Sequence, residues 1–279
     1  MTAYKQTERT TATRHQDRVG YDRDAAHAIV DAALVCHLGL TAPDGTPRVL
    51  PMLHVRVGET LYLHGSSGAA AALAARAAVD GEGGGLPVCA TVTLVDGVVL
   101  ARSAMHHSTN YRSVVALGTA RLVSDADEKS AVLAALVDHV VEGRSSACRP
   151  QSARELAATS VLALPLTEVS VKTRSGGPVD EPEDLALPHW AGVLPLSTVA
   201  GALQPAADLI PGGTPPPTIT AGDPVYGSTG RARLPRSSAA MHLQAQQAAA
   251  RRSATPACPR LEDAAIRVDP APRATNLRT

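Results

Sequence analysis

Apolar segments of strand length, joined by tight turns, recur through the first two thirds of the chain and limit its fold more than any other feature. Gly58 and Glu59 join two such segments in the outline of a β-hairpin, and Asp96-Gly97 is predicted to be the turn of a second hairpin. The last segment is predicted to be one long strand. The predicted strands are residues 36–40, 48–57, 60–65, 87–95, 98–107, 111–123 and 161–174.

Three helices are predicted between these strands. Residues 23–35 place apolar side chains at helical intervals, a second helix follows Ser67, and residues 125–143 begin with an acidic first turn. Strands that outnumber helices and follow one another through short turns are typical of antiparallel sheets. The sequence therefore predicts a mainly β fold, a small antiparallel barrel or sandwich with helical insertions.

Composition divides the chain into three parts. Residues 1–22 form a polar N-terminal arm, and residues 23–204 carry nearly all of the regular apolar patterning. Residues 205–279 contain 11 of the 21 prolines and can bury little apolar surface, so we expect an extended or disordered tail. Within that tail, only residues 239–252 have the composition of a helix.

Charge and aromatic content argue against two classes of partner. The 26 basic residues balance 26 acidic ones, so the chain has no overall field that would attract nucleic acid or a membrane surface. Aromatic residues are limited to five Tyr and one Trp, with no Phe, which disfavours nucleic-acid platforms built from stacked aromatics. We expect neither nucleic acid nor a membrane as a partner.

The cysteines and histidines lack the spacing of a metal site. Cys36, Cys89, Cys148 and Cys258 lie far apart, and the sequence contains no HExxH motif or His/Cys cluster. Reduced thiols, a polar N-terminus and the lack of a long apolar run are typical of a cytoplasmic protein. We therefore expect a cytoplasmic protein without a metal site.

A strand-to-helix turn at residues 64–67 is one candidate binding site. His64 ends a strand, Gly65 permits close approach to the backbone, and Ser66 and Ser67 offer hydroxyl groups before a helix. Free N–H groups at a helix start attract phosphate or carboxylate. Any strand-to-helix turn has this appearance, so the residues alone leave an anion site and an ordinary turn equally open.

Hydrogen-bonding side chains crowd the segment 102–113, which lies between two apolar strands. Burying so many polar groups without partners would be costly. We expect them to line a wet cleft, a ligand site or a subunit interface, with a purely structural turn as the alternative. The side chains are those of Arg102, Ser103, His106, His107, Ser108, Asn110, Tyr111, Arg112 and Ser113.

Four blocks of sequence, in this order, resemble the pyridoxamine 5′-phosphate oxidase-like proteins, and in particular the branch that contains nitroimidazole-resistance proteins. The blocks are RVLPMLHVRVGETLYLHGSSG, PVCATVTLVDGVVLARSAMHHSTNYRSVVALGTARLV, VKTRSGGPVDEPEDL and HWAGVLPL. The resemblance implies an FMN-binding antiparallel split β-barrel that forms a homodimer, with FMN in two equivalent clefts at the subunit interface. It also implies a flavin-dependent oxidoreductase that acts on a small aromatic or nitro-type substrate.

The same resemblance assigns the cofactor site to three stretches of this chain. The strand that begins at Arg48 would face the flavin ring and its phosphate, residues 64–67 would lie beneath the phosphate, and residues 103–113 would border the ring, partly from the second subunit. The catalytic candidates are His107, Tyr111 and Arg112, without an assigned proton donor. The implied cofactor-binding residues are Arg48, Val49, Leu50, Pro51, His64, Gly65, Ser66, Ser67, Ser103, His107, Asn110, Tyr111, Arg112 and Ser113.

One position departs from the family pattern. Relatives place a cation at the start of the helix after the turn, where it meets the phosphate, whereas this chain has Ala69 and Ala70. A hydrogen bond to a charged group contributes about 1.5–3 kcal/mol. Either Arg48 and the helix start suffice, or Arg76 reaches back, or FMN binding is weakened. A deazaflavin coenzyme and a non-catalytic dimer without flavin are the remaining alternatives.

Overall fold

The computed structural model describes residues 3–79, 84–213, 215, 221–222, 224–226 and 243–244. Its helices are α1 (Arg23–Ala32), α2 (Ala70–Val79), α3 (Ala126–Val140) and α4 (Ala153–Ala158). Its strands are β1 (Val19–Gly20), β2 (Val35–Thr41), β3 (Pro47–Val57), β4 (Thr60–Ser66), β5 (Leu86–Leu100), β6 (Ser108–Leu122), β7 (Thr159–Pro165), β8 (Glu168–Arg174), β9 (Gly192–Pro195), β10 (Thr198–Val199) and β11 (Pro224–Tyr226).

Within the described residues, six of these strands close into a ring in the order β6-β7-β4-β3-β2-β5, because β6 pairs with both β7 and β5. Every pairing in the ring is antiparallel. β8 and β1 extend the sheet from β6, and β9 extends it from β5. The predicted mainly β fold, an antiparallel barrel with helical insertions, is confirmed.

Aliphatic side chains fill the barrel. Leu38, Leu63 and Leu164 are fully buried, and α1 and α2 pack against the same core mainly through alanines and other small apolar side chains. A second cluster joins α3 to β3, β4 and β7, and includes Tyr62, whose hydroxyl donates to Glu128 Oε1 at 2.8 Å. Core packing tolerates aliphatic replacements when the volume is roughly kept, so a barrel of this kind needs no Phe.

The prediction of a hairpin turn at Asp96-Gly97 is wrong. β5 continues through both residues as one strand, with an irregularity in its pairing to β6 between Val95 and Gly97. An extra residue in one strand is accommodated as a β-bulge, so the strand does not reverse there. The chain reverses instead at residues 101–107, and the second hairpin is formed by β5 and β6.

The prediction of one long strand at residues 161–174 is also wrong. The segment forms β7 and β8, joined at Leu166 and Thr167, where Thr167 N donates to Pro165 O at 3.1 Å. β7 pairs with β4, whereas β8 pairs with β6, so the two strands lie at different places in the sheet. Pro165 favours the break because proline has no N–H to donate to a strand ladder.

The predicted N-terminal arm contacts the barrel. Tyr4 is buried. Its hydroxyl donates to Glu59 Oε2 at 3.2 Å and lies 2.9 Å from His27 Nε2. Asp22 caps α1 by accepting a hydrogen bond from Ala25 N at 2.8 Å. Most of the predicted tail, including nearly all of its helix-prone stretch, lies outside the described residues.

Candidate functional site

β3 and β4 separate part-way along their length. They pair where residues 54–57 face residues 60–63. Beyond that point β4 continues against β7, while residues 47–53 of β3 keep β2 on one side. Within the described residues, no strand lies on the other side of this stretch. Its open edge presents backbone N–H and C=O groups, and we call the gap beside it the split.

Two of the predicted groups lie around the split. One is on the open part of β3, and the other comprises the end of β4 and the turn into α2. A side chain at Gly65 would have its Cβ 3.7 Å from Met52 Cε and 3.9 Å from Ala69 Cβ. The structure therefore brings strand and turn together. The residues are Arg48, Val49, Leu50 and Pro51 on β3, with His64, Gly65, Ser66 and Ser67 opposite.

Alternation along β3 turns its side chains toward two sides. Leu50 packs against the barrel core, whereas Val49 is 68% exposed and Leu53 is 37% exposed. On β2, Val35 pairs with Leu53 and is itself 41% exposed. An exposed apolar strip, formed by Val35, Val49 and Leu53, therefore runs along the outer face of β2 and β3 beside the split.

The turn after β4 is held mainly by backbone hydrogen bonds. Ser66 O accepts from Ala69 N at 2.9 Å, and Ser67 N donates to Ala158 O at 2.9 Å. Ser66 Oγ accepts from Gly68 N at 3.3 Å. α2 begins directly afterwards, and the first N–H groups of a helix have no partner inside the helix. The start of α2 thus offers N–H groups, and the turn before it offers hydroxyl groups and no charged side chain.

His64 lies at the end of β4, next to this turn. Its side chain is half-buried, and burial lowers its pKa, which favours the neutral ring. Its Nδ1 atom is buried and has no hydrogen-bond partner among the described residues. A buried polar atom without a partner costs free energy.

The remaining predicted residues lie where β5 turns into β6, a region we call the β5–β6 end. Arg112 donates to both carboxylate oxygens of Asp96, from Nε at 2.9 Å and from Nη2 at 2.8 Å, and these bonds raise the pKa of Arg112. Asn110 Oδ1 accepts from Arg174 Nη1 at 2.5 Å, and Asn110 Nδ2 donates to Gly176 O at 3.1 Å. Partners for these side chains therefore come from the chain itself.

Other residues of the β5–β6 end have internal contacts as well. Ser113 Oγ donates to Lys172 O at 3.1 Å, and His107 Nδ1 lies 3.0 Å from Ser103 O. Tyr111 is half-buried. Because successive side chains alternate across a strand, Tyr111 and Ser113 lie on the opposite face of β6 from Asn110 and Arg112. The predicted group is divided between two faces of one strand.

An open pocket of about 640 Å³ lies between β6, β8 and the β9 region. Asp96, Arg112 and Arg174 supply its polar wall, and Val193 and Leu196 supply much of its apolar wall. The charged side chains of the wall already bond to groups of the chain. The pocket is for that reason a weaker candidate for a cofactor than the split.

A single chain does not bring the two groups of predicted residues together. In the ring, β3 and β6 are separated by β2 and β5. At about 4.8 Å per strand spacing, the path along the sheet from β3 to β6 is roughly 14 Å. They are separate regions of one chain.

Sequence reasoning missed two carboxylates that shape the β5–β6 end. Asp96 is predicted as a turn residue, but the apolar alternation that continues on both sides of it is the signal of one strand. Asp180 accepts from Arg102 N at 2.9 Å and from Arg102 Nη1 at 2.8 Å. No local pattern could reveal that contact, because the two residues are 78 positions apart.

Cys36, Cys89 and Cys148 are free, and burial raises the pKa of Cys36 to about 12, so its thiol stays protonated. Among the described residues, no group of three or more His, Cys, Asp and Glu side chains is placed to hold a metal ion. No helix in this part of the chain is long and apolar enough to cross a membrane.

A closed antiparallel ring with a split between two of its strands defines a split-barrel protein. The family model for pyridoxamine 5′-phosphate oxidase matches residues 22–173, more than half of the chain. The chain therefore belongs to this family, and the predicted resemblance is confirmed. No curated protein matches the chain.

Two solved structures combine high coverage with substantial identity. The flavocytochrome Anf3 from Azotobacter vinelandii is 36% identical, with a TM-score of 0.70, over 76% of this chain and 95% of that one. The FAD and haem binding protein from Mycobacterium smegmatis is 35% identical, with a TM-score of 0.67, over 75% of this chain and 100% of that one. A 5-nitroimidazole antibiotic resistance protein from Bacteroides thetaiotaomicron is 23% identical, with a TM-score of 0.45, over 55% and 85%.

Proposed function

We propose that this protein is a flavin-dependent oxidoreductase, active as a homodimer in the cytoplasm, with its flavin in the split and a haem as second cofactor. The observation that carries the flavin site is the open edge of β3 facing the turn at residues 64–67. A strand edge supplies N–H donors and C=O acceptors at fixed spacing, which suits the polar rim of a flavin ring. The turn supplies hydroxyl groups, and the start of α2 supplies N–H groups, for a phosphate.

Two features of the single chain support a homodimer: an exposed apolar strip and a flavin site whose assigned residues lie apart. The strip of Val35, Val49 and Leu53 is exposed beside the split, and exposed apolar surface of this kind is typical of an interface. Residues of the β5–β6 end that the family resemblance assigns to the ring lie too far from the split in the same chain. A second copy could bring its own Tyr111 and Ser113 to the ring, since both lie on the outer face of β6.

The flavin we favour is FAD. Two relatives support a flavin and a haem together, since one is called a flavocytochrome and the other a protein that binds FAD and haem. Ala69 and Ala70 point the same way, because a terminal phosphate such as that of FMN carries about −1.5 to −2 charges, more than each phosphate of a diphosphate. A helix start without a cation suits the less charged group. FMN, and a deazaflavin coenzyme, are the alternatives.

The chain's contribution would be placement rather than the redox step. When bound, the flavin supplies hydride or electron transfer to a small aromatic or nitro-type substrate. The neutral His64 ring adds no charge beside the turn. Of the catalytic candidates, Tyr111 lies on the outer face of β6. Arg112 is bonded to Asp96, and His107 lies in the connection before β6.

The test begins with the visible spectrum of the purified full chain. We expect a bound-flavin spectrum, and mass spectrometry of the released cofactor identifies FAD, FMN or deazaflavin. Ala70→Arg should tighten FMN binding about tenfold, because a charge-assisted hydrogen bond contributes about 1.5 kcal/mol or more. Ala77→Arg, on an exposed position of the same helix, is the matched control.

Two outcomes would overturn parts of this proposal. A colourless protein that binds none of the three cofactors on titration would support the non-catalytic dimer instead. Equal FMN affinities for Ala70→Arg and Ala77→Arg would show that the phosphate does not lie at the start of α2.

A further inference from the structure

The open pocket between β6, β8 and the β9 region carries a net positive charge. Its lining includes two guanidinium groups and one carboxylate, those of Arg112, Arg174 and Asp96. Arg112 and Asp96 form an ion pair at 2.8 Å and so neutralise each other. The guanidinium of Arg174 has no carboxylate partner among the described residues. A pocket with this charge favours a ligand that carries a single negative charge.

Neutral oxygen atoms hold the guanidinium of Arg174 in the pocket wall. Its Nη1 donates to Asn110 Oδ1 at 2.5 Å and to Gly176 O at 3.4 Å. Its Nη2 donates to Gly177 O at 3.0 Å. Gly176 has a φ of 102°, which residues with a Cβ rarely adopt, so glycine suits the turn that returns these carbonyls to Arg174. The side chain is therefore oriented before a ligand arrives, which lowers the cost of binding.

These bonds leave part of the Arg174 guanidinium available. Arginine has more N–H donors than the bonds use, and Nε–H and one N–H of Nη2 have no partner among the described residues. Arg112 binds the carboxylate of Asp96 through the same two nitrogens, Nε at 2.9 Å and Nη2 at 2.8 Å. The ion pair in the pocket wall thus shows the bidentate geometry that Arg174 offers to a second carboxylate.

Exposed hydroxyl groups share the pocket lining with Arg174. They belong to Thr173, Ser175 and Ser197. None of the three has a hydrogen bond to another described residue. A hydroxyl group can donate to a carboxylate oxygen, so these side chains add donors to those of the guanidinium.

An apolar wall formed by Val193, Pro195 and Leu196 completes the pocket. This wall is fixed to the barrel, because β9 pairs with β5 and Leu196 N donates to Asp96 O at 3.0 Å. The volume of about 640 Å³ is typical of a site for a small molecule. The pocket therefore combines an anion-binding group with space for an apolar body.

We propose that this pocket binds a small organic carboxylate, with its carboxylate at Arg174 and its apolar body against Val193 and Leu196. This second ligand site goes beyond the proposed function, because it lies on other strands than the split and needs neither flavin nor haem. A phosphate monoester fits less well, since it carries about −1.5 to −2 charges. A neutral ligand leaves the charge of Arg174 uncompensated.

Benzoate is the probe, because it joins a carboxylate to a flat apolar ring. Isothermal titration calorimetry of the purified full chain compares it with benzamide, its neutral counterpart, and with phenyl phosphate. Benzoate should bind about tenfold or more tightly than benzamide, since the amide loses the charge-assisted hydrogen bonds. It should also bind more tightly than phenyl phosphate. Because benzoate binds the folded chain, the Tm should rise with its concentration.

Two pairs of variants locate the binding. Arg174→Gln removes the charge from the pocket, and Arg154→Gln, at an exposed position of α4, is the matched control. Benzoate affinity should fall about tenfold or more in the first variant only. Leu196→Glu adds a negative charge to the apolar wall and should also weaken binding, whereas Leu203→Glu, exposed and outside the pocket, should not. Circular dichroism checks that each variant is folded.

The outcomes also separate this inference from the proposed function. The absence of saturable benzoate binding, or equal affinities in Arg174→Gln and Arg154→Gln, overturns the carboxylate site. Equal binding of benzamide, or tighter binding of phenyl phosphate, overturns the choice of a carboxylate. Release of bound flavin by benzoate overturns the separation of the two sites. A chain that binds benzoate but no flavin supports the carboxylate site while the proposed function fails. If Arg174→Gln does not fold, the two leucine variants decide.

Discussion

The split and the β5–β6 end both carry polar groups, but they use them in opposite ways. At the split, the groups are the backbone edge of β3, the first N–H groups of α2 and two serine hydroxyls. At the β5–β6 end, charged side chains bond to one another, as Arg112 does with Asp96 and Arg102 with Asp180. A high density of polar side chains therefore does not by itself locate a ligand site. Groups that the strand pairing leaves open are the ones available to a cofactor.

The largest effect is expected from filling the split. Gly65→Val should keep the fold, because the added Cβ meets only ordinary contacts, but its methyl groups would take space beside Met52 and Ala69. Overpacking costs about 1–3 kcal/mol, which corresponds to roughly 5- to 150-fold weaker flavin binding. Fluorescence titration measures the affinity, and circular dichroism checks the fold.

Gly68→Ala is the matched control for that variant. A Cβ at Gly68 meets open space, so the substitution adds a methyl group to the same turn without entering the split. If Gly65→Val binds flavin as tightly as Gly68→Ala, the cofactor does not occupy the split. The open groups at the split would then not be the ones that bind a cofactor.

A second expected effect concerns the base of the split. His54 is the last residue of β3 paired with β4 before the strands separate, it is fully buried, and burial lowers its pKa to about 4. Its ordinary pKa is 6.5, so below that value the unfolded chain binds a proton that the folded chain excludes. The part of the folding stability that depends on a neutral His54 is therefore fully present above pH 6.5. It is lost as the pH falls toward 4. At about pH 5 the loss amounts to about 2 kcal/mol.

Chemical denaturation at neutral pH and at about pH 5 measures this contribution. His54→Leu should reduce the difference between the two free energies of unfolding, while His15→Leu, at an exposed position, should leave it as in the wild type. If the free energy of unfolding falls equally with acid in all three proteins, protonation of His54 at the base of the split does not control stability.

The smallest effect is expected from Arg112→Ala at the β5–β6 end. Arg112 and Asp96 are both mostly buried, and removing the cation leaves a carboxylate without its partner. Stability should fall by about 1–2 kcal/mol, since the pair keeps some contact with solvent. Arg149→Ala, which breaks an exposed pair with Glu155, should leave the free energy of unfolding close to that of the wild type.

Arg112→Ala also tests whether the β5–β6 end binds the cofactor. A large loss of flavin affinity in Arg112→Ala, with stability unchanged, would place Arg112 against the cofactor, as the family resemblance implies. The β5–β6 end would then bind a ligand despite its internal ion pairs.

Local pattern predicted the elements that depend on neighbouring residues. Gly58 and Glu59 marked the first hairpin correctly, and the acidic start of α3 is visible as Asp125, whose carboxylate accepts from Glu128 N at 2.6 Å. The same reasoning failed at Asp96-Gly97 and around Pro165. A turn and a bulge have similar residues, and they differ in the strand that lies opposite, which a local pattern does not contain.

The candidate site could be predicted in part for the same reason. The strand at residues 48–51 and the turn at residues 64–67 are close in sequence, and the hairpin between them brings them to the same end of the barrel. The contact of Arg102 with Asp180 joins distant segments, and so does the pairing of β8 with β6. Long-range contacts of this kind leave no signature in either partner alone.

By itself, the sequence determined the class of fold, the two clusters of polar residues and the family, since alternation, turn residues and matched blocks are properties of short segments. Only the tertiary structure decided which polar residues are already satisfied. It closed Arg112 onto Asp96, left the edge of β3 without a neighbouring strand among the described residues, and fixed the ring of His107 against Ser103. Hydrogen bonds are saturable, so a group's availability to a ligand depends on every other group that the fold brings within reach of it.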